Sequence, residues 1–203
     1  MQVSAIIPAF NEERTIAQVI RPLLQVGEIM EVIVVSDGCT DATPEIARQE
    51  GVQVIASPDN LGKGGAMMLG LERSSGEVIL FLDADLIGLT PVHIEELLRP
   101  VLDNRAEMSV GIFGHGRLTT DLAQMVAPFL SGQRAVKRSL LERISNLDMT
   151  RFGIEMALTR YVNEHDINIA EVLLPDLSHV MKEEKFGLWK GLRERMKMYW
   201  EIA

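Results

Sequence analysis

Two carboxylates stand one residue apart at Asp83 and Asp85, directly after the apolar run Val78-Ile79-Leu80-Phe81-Leu82. Such a run reads as a strand buried on both faces, and residues i and i+2 at its end, where the chain leaves the sheet, can approach one point together. Two like charges held close are costly unless something positive joins them, and a hard cation with a preference for oxygen ligands satisfies both. The pair therefore points to Mg²⁺ or Mn²⁺ bridging to phosphate oxygens, with solvated strand-end carboxylates as the plain alternative. A second group is Gly62-Lys63-Gly64-Gly65. It sets a lysine on a glycine-flanked turn leading into a helix, with a solvated lysine as the plain reading.

Positioning these groups requires an α/β framework. Short β-branched runs alternate with longer amphipathic stretches, as in βαβ units on a mostly parallel open sheet flanked by helices. Strands are expected at 3–8, 31–36, 52–56 and 78–82, and helices at 12–25, 40–50 and 64–74. In such a sheet, ligands bind beyond the carboxyl ends of the strands. The sequence places polar loops there four times: Pro8-Ala9-Phe10-Asn11-Glu12-Glu13, Ser36-Asp37-Gly38-Cys39-Thr40-Asp41, Asp59 to Gly65, and Asp83-Ala84-Asp85. Four polar loops on one sheet edge make a cleft. Beyond Asp85, helices are expected at 91–103, 119–126, 134–144, 154–164 and 186–200, strands at 107–113 and 167–173, and a loop at 114–117.

Composition limits what the cleft can serve. The chain has 203 residues, 47% of them hydrophobic and 24% charged, which is the profile of one globular domain with a real core. A formal charge of −9 argues against general nucleic-acid binding, which needs a surplus of Lys and Arg. Neither a signal peptide nor a membrane span is expected, and a single cysteine, Cys39, fits a cytoplasmic enzyme. The turn after the first strand contains no glycine, so the dinucleotide fingerprint G-x-G-x-x-G is missing. Ser57 and Gly64 break the P-loop pattern around Lys63. The compact first loop is also unlike the long glycine-rich loop of sugar nucleotidyltransferases.

Together Pro8-Ala9-Phe10-Asn11-Glu12, Asp37-Gly38-Cys39-Thr40-Asp41, Gly62-Lys63-Gly64 and Asp83-Ala84-Asp85-Leu86 resemble the GT-A glycosyltransferases of family 2. The later segments Leu130-Ser131-Gly132-Gln133-Arg134-Ala135, Gly153-Ile154-Glu155 and His179 resemble, more loosely, glucosyl-3-phosphoglycerate synthases and polyprenyl-phosphate sugar transferases. The resemblance implies a metal-dependent hexosyltransferase that moves a sugar from a UDP- or GDP-sugar to a phosphorylated small-molecule or lipid acceptor. Residues 1–90 would form the nucleotide-binding half and 91–203 the acceptor-side half of one GT-A domain.

The roles the resemblance implies are these. Pro8, Ala9, Asn11 and Glu12 hold the nucleoside, and Asp37 accepts from a base N–H. Lys63 meets the diphosphate, with Asp83 and Ala84 on the nucleotide side. Asp83, Asp85 and His179 ligate Mg²⁺ or Mn²⁺, and Asp85 is counted with the catalytic groups. Ser131, Gly132, Gln133 and Arg134 form a turn and helix start facing the acceptor. Glu155 is the candidate general base of an inverting transfer, which must remove the acceptor proton. Plain readings stand beside these: helix capping for Asp37, first-turn dipole compensation for Glu12, a helix-surface glutamate for Glu155. The stretch 186–200 carries Trp189 and Trp200 beside Lys185, Lys190, Arg193, Arg195 and Lys197. It suits peripheral contact with anionic membrane, or packing against its own sheet or a second subunit in a homodimer. A catalytically silent nucleotide-sugar-binding or assembly module is the competing function.

Overall fold

The computed structural model describes residues 1–113, 131–144 and 153–179. In chain order these form β1 (Val3–Ala9), α1 (Ile16–Leu23), β2 (Ile29–Asp37), α2 (Thr43–Gln49), β3 (Gln53–Ser57), α3 (Gly62–Arg73), β4 (Val78–Phe81), β5 (Leu86–Ile87), α4 (Pro91–Leu102), β6 (Met108–Phe113), β7 (Arg134–Lys137), α5 (Arg138–Leu141), α6 (Gly153–Glu164), β8 (Ile169–Leu174) and β9 (Ser178–His179). A seven-stranded sheet runs β3-β2-β1-β4-β7-β6-β8, and β5 pairs with β9 in a separate ribbon. Strands β3, β2, β1 and β4 are mutually parallel, as is β8 to β6, while β7 runs antiparallel to both of its neighbours.

The two faces of the sheet follow from side-chain alternation along the strands. Ala5, Ile7, Val32, Val34, Leu80 and Leu82 pack with Ile16, Val19, Ile20 and Leu23 of α1 and with Ile94, Leu97 and Leu98 of α4. Ile6, Ile33, Val35, Ile79 and Phe81 pack with Ala66 and Met67 of α3 and Ile154, Leu158 and Val162 of α6. The buried α1 residues fall at i, i+3, i+4 and i+7, the stripe of a helix lying on a core. Each fully buried aliphatic side chain is worth about 1.5–3 kcal/mol. Central strands buried on both faces therefore anchor their carboxyl ends firmly enough to carry polar loops.

Several elements differ from the sequence expectation: β5 and β9 are added, and α2 starts at Thr43 and not at residue 40. Residues 134–144 were expected to be one helix, but Arg134–Lys137 is the strand β7, followed by the single turn α5. Arg134-Ala135-Val136-Lys137 fills the slot between β4 and β6, where Ala135 and Val136 are wholly buried and the ladder satisfies the backbone on both sides. Tertiary pairing overrides local helix preference there. Helix α1 begins at Ile16 rather than Glu12, because Glu12 O accepts from Thr15 N and Ile16 N in a preceding turn. The expected helices at 119–126 and 186–200 and the loop at 114–117 lie outside the described residues, as do Trp189 and Trp200. Among the described residues no helix is long and apolar enough to cross a membrane.

Candidate active site

The loops after β1, β2 and β4 and the start of α3 meet at one sheet edge, as the strand-end rule requires. The first two are stitched together. Asn11, in the left-handed region at φ 56°, accepts from Thr40 N through Oδ1 at 2.8 Å, and Glu12 N donates to Thr43 Oγ1 at 2.7 Å. Cys39 Sγ donates to Ala9 O at 3.2 Å and accepts from Asn11 N at 3.3 Å, so the cysteine is a loop fastener. Asp41 accepts from Thr43 N and Thr43 Oγ1 just before α2, which starts at Thr43 and not at the expected residue 40.

Asp37 ends β2 with 3% of its surface exposed, and its Oδ1 accepts from Leu61 N at 2.6 Å. It pins the loop before α3 onto β2, a contact the sequence did not show. Gly38 follows at φ +68°, a conformation that admits glycine readily, and donates its N–H to Ser57 O. Helix α3 then opens at Gly62, whose N–H donates to Asn60 Oδ1 at 3.2 Å, with no side-chain cap from Leu61 itself. That is the end of a helix that favours an anion.

Lys63 reaches across to Asp83, with Nζ 2.6 Å from Oδ1. The other carboxylate oxygen of Asp83 accepts from Gln133 Nε2 at 3.0 Å. Burial disfavours ionisation of Asp83, but the charges of Lys63 and His179 outweigh it and hold the carboxyl below its ordinary range, while Asp85 opposes them. Asp85 lies beside His179, whose Nδ1 is 3.0 Å from Asp85 Oδ1. Antiparallel pairing of Leu86 with His179 in the β5–β9 ribbon brings the two together. Phe113, at the end of β6, packs edge-on against the imidazole with ring centroids 4.8 Å apart.

Asp83, Asp85 and His179 each offer one ligand atom, all within 4.8 Å of one another. Two carboxylate oxygens and one imidazole nitrogen form a set that suits Mn²⁺, and Mg²⁺ less well through the nitrogen. The three candidate ligands named from the sequence thus converge.

The segment Ser131 to Arg134 leads into a strand, not the expected helix start. Gln133 is wholly buried and Arg134 is 1% exposed. Gln133 turns onto Asp83, and Arg134 Nε donates to Ser131 O at 2.8 Å while Nη1 donates to Thr159 Oγ1 at 3.3 Å. Ser131 Oγ donates to Gly111 O at 2.6 Å. Gly132 sits directly on the charge pair: a Cβ there would lie 2.4 Å from Asp83 Oδ2 and 2.5 Å from Lys63 Nζ. Glu155 falls on α6, with its side chain outside the described residues. Phe113 and the Gln133–Asp83 contact were missed by sequence reasoning. Phe113 reads there as the apolar end of a strand, and nothing local marks it as a neighbour of His179.

Comparison with known proteins agrees with this architecture. Residues 4–161 match the family model of glycosyl transferase family 2. Among curated relatives, glycosyltransferase AglD of Haloferax volcanii is 34% identical over 122 residues, covering 55% of this chain and 19% of that protein. The glucosyl-3-phosphoglycerate synthase of Mycobacterium tuberculosis is 30% identical over 194 residues, covering 77% of this chain and 59% of the relative. The chain thus spans less than two thirds of these relatives' lengths, 19% of one and 59% of the other. A crystal structure of the M. tuberculosis synthase with Mn²⁺, UDP-glucose and phosphoglyceric acid superposes with a TM-score of 0.74 at 28% identity, covering 88% of this chain and 71% of that one. Another, with Mn²⁺, UDP and glucosyl-3-phosphoglycerate, gives 0.76 at 29%, covering 88% and 72%. With its mostly parallel sheet, its polar strand-end loops and its converging Asp83, Asp85 and His179, the chain adopts the GT-A fold and belongs to glycosyl transferase family 2.

Proposed function

We propose that the protein is a metal-dependent hexosyltransferase that moves a sugar from a nucleoside-diphosphate donor to a phosphorylated small-molecule acceptor of the phosphoglycerate kind. The observation that carries this reading is the convergence of Asp83, Asp85 and His179 beside Lys63 at the mouth of α3. It is supported by the crystallised M. tuberculosis synthase, which holds Mn²⁺ with UDP-glucose and phosphoglyceric acid and Mg²⁺ with UDP.

Residues 1–90 form the nucleotide half in this reading, and 91–203 the acceptor half. The loop from Pro8 to Glu12 and Asp37 hold the nucleoside, with the Asp37 carboxylate accepting from a base imide. Lys63 and the first N–H groups of α3 hold the diphosphate against its own charge. Ala84, 4% exposed, spaces the two carboxylates. Asp83, Asp85 and His179 would hold Mg²⁺ or Mn²⁺, which when bound supplies positive charge to the departing nucleoside diphosphate. Ser131 and Gly132 border the acceptor side, with Gln133 and Arg134 supporting them from within the fold. Glu155 is assigned the acceptor proton if transfer inverts. Cys39, the one cysteine, accords with a cytoplasmic setting.

The test is incubation with Mn²⁺, UDP-glucose or GDP-glucose, and 3-phosphoglycerate, followed by mass spectrometry of the products. A new hexosyl phosphoglycerate supports the proposal. Transfer to polyprenyl phosphate in liposomes, with none to phosphoglycerate, would replace the acceptor. Tight donor binding without transfer or hydrolysis would instead establish a silent binding module.

A further inference from the structure

Lys63 and a divalent cation make competing demands on one carboxylate. Lys63 Nζ already lies 2.6 Å from Asp83 Oδ1. The same carboxylate is one of the three groups whose ligand atoms lie within 4.8 Å of one another. Gly132 leaves no spare room around the pair, since even a Cβ at that position would lie 2.4 Å from Asp83 Oδ2, 2.5 Å from Lys63 Nζ and 2.6 Å from Asp83 Oδ1. Two cations sharing one carboxylate at such distances repel each other.

We propose that the Lys63–Asp83 ion pair is an autoinhibitory contact that makes a divalent cation and a nucleoside diphosphate bind cooperatively. The inference rests on the metal-dependent reading above and specifies how that site is regulated. Lys63 occupies Asp83 until a diphosphate offers it a stronger anionic partner. The lysine stem is long and flexible, and Lys63 stands in the first turn of α3, where its ammonium can swing from Asp83 toward an anion at the helix end. Gln133 Nε2 donates to Asp83 Oδ2 at 3.0 Å, a contact independent of Lys63 that can hold the carboxylate when Lys63 leaves. Gln133 is neutral and therefore holds Asp83 without competing for a cation by charge. The device keeps the carboxylates from being metallated unproductively and ties metal capture to arrival of the donor's diphosphate.

Binding of Mn²⁺ to the purified chain, followed by the electron paramagnetic resonance of free Mn²⁺, tests the proposal. It is measured alone and with saturating UDP or GDP, after correction for Mn²⁺ held by the nucleotide itself. The variants are Lys63→Met, which keeps the stem and removes the charge, and Lys63→Arg, which keeps the charge. Wild type is expected to bind Mn²⁺ about ten-fold more tightly with the nucleoside diphosphate than without, and reciprocity requires Mn²⁺ to tighten the nucleotide by the same factor. Lys63→Met is expected to bind Mn²⁺ alone several-fold more tightly than wild type while binding the nucleotide more weakly. Lys63→Arg should keep the wild-type coupling. Unchanged or weaker Mn²⁺ affinity in folded Lys63→Met would overturn the autoinhibitory contact, and so would equal wild-type affinity with and without nucleotide. Both results leave the metal site standing. No Mn²⁺ uptake by wild type even with either nucleotide would remove the metal-dependent reading itself, and this inference with it.

Discussion

His179 and Asp85 lie 94 positions apart in the chain, yet the imidazole Nδ1 is 3.0 Å from the Asp85 carboxylate. The contact depends on a ribbon of two short strands, β5 and β9, and on Phe113 edging the ring. It completes a cluster of Asp83, Asp85 and His179 that could hold a divalent cation.

Removing one of three ligands should weaken Mn²⁺ far more than it weakens the fold. His179→Ala is expected to lower Mn²⁺ affinity in the presence of UDP by at least about 10–100-fold, taking even the loss of a supporting group as a lower bound. Calorimetric titration reads the affinity and a thermal melt checks the fold. Wild-type Mn²⁺ affinity in His179→Ala would exclude His179 as a ligand.

Asp37 fastens Leu61 and is proposed to read the base, and two substitutions separate the two. Its Oδ1 accepts from Leu61 N at 2.6 Å in a nearly closed environment. Asp37→Ala leaves a donor without its partner and should cost about 1–3 kcal/mol of stability. Asp37→Asn keeps an acceptor there and should melt close to wild type, yet bind uridine and UDP more weakly by a similar factor. If Asp37→Asn binds uridine as wild type does, the carboxylate does not read the base.

Gly132→Ala forces a methyl group against Asp83 and Lys63 at 2.4–2.6 Å, so the charged pair or the loop must shift. Misplacement of catalytic groups by about 1 Å can cost on the order of 100-fold in rate. A loss of that order in transfer rate is expected, with a melting temperature near wild type because the strain falls on an edge loop. Full activity would show that the loop relaxes freely.

Acid stability should depend on a carboxylate remote from the cleft. Glu31 accepts from Ser4 Oγ at 2.6 Å, Ser75 N at 2.7 Å and Ser75 Oγ at 2.9 Å. Partial burial works against its ionisation, but these hydrogen bonds and the charge of Arg138 prevail and hold its pKa below the ordinary glutamate value. The folded state thus favours the ionised form. The resulting stability is full above the unfolded pKa of about 4.3 and is lost as pH falls through the lower folded value. Glu31→Gln should be less stable than wild type at pH 7, with the difference shrinking as pH falls below about 4. Melting curves from neutral to acid pH check this, and a gap that stays constant would assign the loss to packing alone.

The sequence by itself determined the N-terminal half. Val32 to Val35 and Val78 to Leu82 are continuous apolar runs, legible as strands buried on both faces, and the polar residues that follow them had to gather at the carboxyl edge. Asp37, Lys63, Asp83 and Asp85 were therefore readable as neighbours from local pattern alone. The C-terminal half depended on long-range pairing. Arg134 to Lys137 reads as helix locally and becomes a strand because β4 and β6 leave a slot between them. That placement turns Gln133 inward onto Asp83, a contact that local pattern does not show. His179 was nameable only through family resemblance, and its approach to Asp85 comes from pairing between strands some 90 residues apart, which local periodicity does not encode. Local propensity and strand-end chemistry are written along the chain, whereas the partner a carboxylate finds is fixed by which distant backbone edge completes the ladder.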